Sequence, residues 1–364
     1  MEAKARPVKK ASRKQAQGTK EQVPSSAKQT PRGSGTVTRA EAQLLLKQLK
    51  AVQMLDPKMP ELNPTFRVIF AQVCSWSMIS GLKLNEDDLL DTVIAAYRDL
   101  DAPRSIKAKP VPDTLHGPQM RSLNRALASL VSLEAQVRAA ADIADAAAMV
   151  PVAAYYAVYN AIVCERTLAG GRITSHSAAA AHYVDFMRRG FVPRPYDIFA
   201  VGGSPATFAV HSASNQFKPF VPKVPRGRQL YVAQDLKEAR MRVGQSLVTT
   251  RKEGRSPDYY GAKRAGKPAR HDTTIVDYLF RLRHRAQYAD WDAFNVGASA
   301  HMDLVTISVL LAEVAYATAL PLMLTAAHRL GSGALEAHLK LRPEYRAASR
   351  RIAKLIVAMS EVAD

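Results

Sequence analysis

Arg281, His284, Arg285 and Tyr288 recur at helical spacing within YLFRLRHRAQYADWDAF (278–294), which sets three cationic or titratable groups and a phenol along one side of a single helix. A face of that composition can do chemistry or hold phosphate, and a solvated polar face has the same spacing. Ile275, Leu279, Leu282, Ala286 and Ala289 take the other side at i, i+3, i+4, i+7 and form the packing stripe.

The charge that surrounds this helix is concentrated. The 364 residues carry a formal net charge of +19, which points to an anionic partner, nucleic acid before an acidic membrane surface. Residues 1–37 hold nine Lys or Arg against two acids, among them Lys9, Lys10, Arg13 and Lys14. Residues 215–270 hold 14 against four, among them Arg226, Arg228, Arg251, Lys252, Arg255, Lys263 and Arg264, so the two segments contain 17 of the 19 net charges. Localised charge of this kind suits phosphate neutralisation with counterion release. Phe217, Phe220, Tyr231, Tyr259 and Tyr260 are interleaved with the cations. They are placed to stack on bases of a single strand or to pin the segment to the body of the protein.

The elements that must position these residues are helices. Residues 1–37, rich in Lys, Pro, Ser, Gly and Gln, read as a disordered basic arm. Thr38-Arg39-Ala40-Glu41 fits a capping box and opens a helix over 38–54. Asn63-Pro64 opens a second helix with Phe66, Ile69, Phe70 and Val73 inward, closed by Gly81, and Asn85 a third. Together these form a small helical module over 38–100, followed by a Pro-rich linker over 101–118. Helices are expected over 119–148, with Leu123, Leu127, Leu130 and Leu133 in register, and over 151–169, apolar nearly all round. Thr174 or Ser175 caps another that bears His176 and His182, which do not share a face, so His176 reads as structural. Prolines punctuate 190–270, a long basic insertion with one helix over 232–249. Asp272 is the expected N-cap of the helix that bears Arg281. Residues 302–330 form a buried helix kinked at Pro321, and an amphipathic helix ends the chain. The fold class is all-α, an up-and-down helical bundle over 119–364 with the basic insertion and the small N-terminal module.

Several classes of function are excluded. Cys74 and Cys164, each within an apolar helical run, read as buried free thiols and cannot build a zinc cluster. Glu86, Asp87 and Asp88 lack a His or Cys at ligand spacing, so neither a metal nor another cofactor is expected. No apolar h-region follows the charged first residues, and Glu313 and Pro321 interrupt the one stretch long enough to span a bilayer. A cytoplasmic protein without a membrane partner is expected.

VAAYYAVYNAIVCERTLAGG followed by ITSHS resembles the second-helix region of the HEPN superfamily, an aromatic YYA-type helix, a Gly and then Ser-His. LFRLRHRAQYADWDAF resembles the later helix of the same superfamily, in which LR precedes Ala-Asp-Tyr or Ala-Asn-Tyr and an acidic-aromatic segment. The likeness covers roughly residues 120–330. It implies a helical bundle, frequent dimerisation, and nucleotide or RNA binding, and many members are metal-independent ribonucleases of toxin and antiviral systems. Their signature is Arg, four to six residues, then His. Arg281 matches the arginine and Tyr288 the tyrosine that often follows, but Ala286 stands where histidine belongs. His284, one turn from Arg281, is the substitute general acid or base, with arginine stabilising phosphorane charge. Arg264 and His271 also satisfy the spacing. Two readings follow: an RNA-binding, homo-oligomeric helical protein of nucleoprotein or coat type, and a ribonuclease with Arg281, His284 and Tyr288 as its catalytic set. The first needs only the charge distribution present.

Overall fold

His301–Leu330 (α9) is one helix of 30 residues, and its side chains are buried continuously from Val314 to Ala327. A helix apolar on every face finds its free-energy minimum at the centre of a bundle. Ala312, Ala315, Ala317, Ala319, Ala326 and Ala327 keep its surface low, so neighbouring helices approach it closely on several sides. The helix runs unbroken through Pro321.

The computed structural model describes residues 64–79, 86–106, 117–213, 229–254, 271–289 and 301–363. The chain divides after Thr36, and every described residue lies in the unit Val37–Asp364. In chain order the remaining helices are α1 (Pro64–Ile79), α2 (Glu86–Arg98), the short α3 (Asp101–Arg104), α4 (Pro118–Asp142), α5 (Val150–Leu168), α6 (His176–Arg188), α7 (Gln229–Glu253), α8 (Ile275–His284), α10 (Ser332–Lys340), α11 (Glu344–Ala348) and α12 (Arg350–Ala363). A 3₁₀ turn, Ala144–Met149, joins α4 to α5, and a π-turn, Arg285–Ala289, extends α8. The protein is all-α, with one two-stranded hairpin among the described residues, β1 (Ile198–Val201) and β2 (Ala209–Ser212).

The expected inward residues of α4, Leu123, Leu127, Leu130 and Leu133, are each at most 1% exposed and pack on α5 and α9. Ala146–Leu168 and Leu304–Leu330 are each long and apolar enough to cross a membrane by length and composition, and their most apolar windows are 72% and 94% buried within the chain. Their apolar surface is thus already spent on each other and on α1, α2, α4 and α12.

Three boundaries differ from the expected organisation. Residues 64–98, expected within a module of their own, share the main core: Trp76 and Val73 are fully buried and α1 packs on both α7 and α9. The expected helix over 38–54 lies outside the described residues. The insertion over 190–270 opens as structure, not loop. Its β1–β2 hairpin pairs Phe199 with His211, and Ala200 exchanges both backbone hydrogen bonds with Thr273, at 2.8 and 3.0 Å. Its helix, α7, starts earlier and ends later than 232–249. The C-terminal helix is three helices, with Pro343 at the N-cap of α11.

Candidate nucleic-acid interface

Thr274, not Asp272, caps α8. Its hydroxyl accepts from Val276 N at 3.3 Å while Asp277 Oδ2 accepts from Thr274 N at 2.9 Å, a reciprocal capping box. Asp272 is paired with Arg188 instead. The packing stripe is as expected, with Ile275, Leu279, Leu282 and Ala286 all buried.

The leading residue of the opposite stripe is not on the surface. Helices α5, α6 and α7 all contact α8, so Arg281 is 3% exposed and points at the last turn of α7. There its guanidinium forms an ion pair with Glu253, with Nη2 donating to Oε1 at 2.7 Å, and Arg285 Nη2 donates to the same oxygen at 3.1 Å. One carboxylate therefore neutralises two arginines that the sequence offers as phosphate contacts. His284 is half-buried, and desolvation and then the charge of Arg283 hold it below its ordinary pKa. Tyr288 lies on the π-turn, and its side chain is outside the described residues.

Arg251 is likewise structural. At 6% exposure, its Nη2 and Nε donate to Gly202 O at 2.8 and 3.1 Å, and its Nη1 donates to His271 O and to Thr273 Oγ1, each at 3.2 Å. It ties α7 to the hairpin and to the entry of α8. His271 accompanies it there, with Nε2 2.9 Å from Asp277 Oδ1. Lys252, the next residue, is exposed. Lys9, Lys10, Arg13, Lys14, Arg226, Arg228, Arg255, Lys263 and Arg264 lie outside the described residues.

What the fold does gather is a patch of rings around Arg283. Tyr155, Tyr156 and Tyr159 stand on α5, His176 begins α6, and Phe280 and Arg283 come from α8. His176 lies 4.8 Å from Tyr159 and 5.4 Å from Phe280 between ring centroids, and its Nδ1 is 2.6 Å from the Tyr155 hydroxyl. Tyr155 is buried, whereas Tyr156, Tyr159, His176, Phe280 and Arg283 are half-buried and reach the surface. The Arg283 guanidinium carbon sits 5.2 Å from the Tyr156 ring centroid and 5.5 Å from that of Phe280, within cation–π range. Gln287 Oε1 accepts from Arg283 Nε at 3.1 Å. No Asp or Glu among the described residues forms an ion pair with Arg283. Desolvation and then Arg283 depress the His176 pKa, so the imidazole is neutral near pH 7 and adds a flat, uncharged ring.

The sequence points to Arg281 and Arg285 and gives no such prominence to Arg283. The signal for it is a third stripe on the same helix, Phe280, Arg283 and Gln287 at i, i+3, i+7, together with the i, i+1, i+4 tyrosines of α5. The patch offers stacking faces and one cation with no carboxylate partner among the described residues. Among the described residues no group of three His, Cys, Asp or Glu is placed to hold a metal. Compared with family models, curated proteins and solved structures, the chain has no match.

Proposed function

We propose that the chain is a single-stranded nucleic-acid-binding protein, with RNA as its ligand, of nucleoprotein or coat type. The carrying observation is the ring patch around Arg283. It joins half-buried aromatic faces, on which bases stack, to a guanidinium that no acidic residue among the described residues pairs with. The arm over 1–37 and the basic insertion add phosphate affinity without sequence preference, since they hold 17 of the 19 net charges. A homo-oligomer spread along a strand, in the cytoplasm and without a membrane partner, goes with this reading. So does the HEPN likeness, in its nucleotide-binding and not its hydrolytic form. The burial of Arg281 against Glu253 supports binding over hydrolysis, because a ribonuclease needs that guanidinium on the scissile phosphate.

The test is incubation of the full chain with labelled single-stranded RNA in the absence of metal. Retention without cleavage is expected, and Tyr156→Ala with Tyr159→Ala weakens it by about 1–3 kcal/mol for each stacked base. Cleavage that disappears in Arg281→Ala and His284→Ala, with retention intact, replaces this reading by the ribonuclease one.

A further inference from the structure

Beside the ring patch, α4 and α5 leave a groove of about 180 Å³. Its walls differ in chemistry. Ser129, Ser132 and Gln136 stand at i, i+3 and i+7 on α4 and present two hydroxyls and an amide from one helix face. Met149, Val152 and Ala153 form the apolar wall opposite, and Tyr156 closes the end that adjoins the patch. Asn160 Nδ2 donates to Ser129 Oγ at 2.7 Å and that hydroxyl donates to Arg125 O at 2.8 Å, so its position is fixed. Ser132 and Gln136 hold no side-chain hydrogen bond among the described residues, and Ser132 is exposed while Gln136 is half-buried.

Size and charge together select an occupant. An apolar cavity of about 150 Å³ takes up benzene, so the groove has the volume of a planar ring system. Small-ligand sites combine apolar walls with a few placed polar groups, and this groove has both. Arg283 stands over the ring of Tyr156, the residue that closes one end of the groove, and Arg125 is exposed on α4. A planar heterocycle with a hydrogen-bonding edge and an attached anion uses every one of these features. An aromatic side chain from a second copy fills the volume but leaves the amide of Gln136 and the charge of Arg283 unused.

We infer that the groove is a nucleotide-base pocket, with the base held between α4 and α5 against Tyr156, its edge met by Ser132 and Gln136, and its phosphate at Arg283. This rests on the RNA-binding reading and adds base selectivity to it, since phosphate contacts alone position a strand without reading it.

The probes are AMP, UMP, adenosine and inorganic phosphate, titrated by calorimetry into the full chain, alongside A-only and U-only RNA oligomers. Saturable binding of one or both mononucleotides is expected, with adenosine and phosphate each at least tenfold weaker. Ala153→Leu, which narrows the groove, and Gln136→Ala, on its rim, each weaken mononucleotide binding at least fivefold. Both also abolish any preference between the two oligomers, and the salt dependence of RNA affinity stays unchanged. Gln136→Ala carries the test if Ala153→Leu fails to fold by circular dichroism. RNA retention without mononucleotide binding, or mononucleotide binding that neither variant weakens, overturns the pocket and leaves RNA binding standing. Mononucleotide binding that both variants weaken, in a chain that does not retain RNA, upholds the pocket and overturns the RNA reading.

Discussion

Arg281 on α8 and Glu253 at the end of α7 form an ion pair in which the arginine side chain is 4% exposed and the carboxylate 27%. The pair joins residues 28 positions apart and ties the end of α7 to α8. Removing Arg281 leaves Glu253 partly exposed and still paired with Arg285, so the loss falls below the about 3–5 kcal/mol of a fully buried pair broken on one side. Arg281→Ala is therefore expected to lower the Tm by several degrees. Its RNA affinity, measured where the variant is still folded, changes by less than twofold. A large affinity loss in a variant of unchanged Tm assigns Arg281 to the ligand.

Neighbouring cations on α7 separate in the same way. Arg251→Ala leaves the carbonyls of Gly202 and His271 without their donor, a loss on the order of 1–3 kcal/mol of stability for each group left unsatisfied. Lys252→Ala, at an exposed position, is expected to stay within about 0.5 kcal/mol of the parent. Urea unfolding of the two variants checks the contrast. Equal midpoints are incompatible with Arg251 as the tie between helix and hairpin.

His271 makes stability depend on pH. Burial, the largest influence on its imidazole, favours the neutral form, but the hydrogen bond and charge of Asp277 outweigh it and raise the pKa above 6.5. The folded protein thus holds this proton more tightly than the unfolded chain. The resulting stabilisation is complete below pH 6.5 and is lost as pH rises through the raised value. His271→Asn removes it. The Tm gap between parent and variant is expected to be widest near pH 6 and to narrow toward pH 8.5; a gap that widens with pH contradicts the Asp277 pairing.

For the arm, deletion of residues 1–37 removes nine cations. Every phosphate of a single strand that is no longer neutralised reduces the slope of log affinity against log salt by about 0.7. The truncated chain is expected to show a flatter slope by several such steps, measured by filter retention between low and moderate salt. An unchanged slope means that the arm touches no phosphate.

Local chemistry in the sequence places several of the helix starts and core faces. Ser175 accepts from Ala178 N at 3.1 Å and starts α6 where the capping residue stands, Pro64 opens α1, and the leucine register of α4 is the buried one. Helix starts and core faces depend on residues three or four positions apart, so a linear reading reaches them. The all-α class and the central place of α9 follow from the same periodicities.

Which cations are paired with a carboxylate is decided by tertiary structure. Arg281, Arg283 and Arg285 lie within five residues, and local spacing sorts them onto helix faces without saying which face a carboxylate will cover. Glu253, brought up on α7, takes Arg281 and Arg285 into an ion-pair cluster, while Tyr156 and Phe280 receive Arg283. The ring patch is assembled from residues 155–159, 176 and 280–283, and the groove beside it from 129–136 and 149–156. A helix shows its neighbours every one of its faces. Only the packing of α5, α6 and α7 around α8 determines which face is left to water and which is sealed by a carboxylate from elsewhere in the chain.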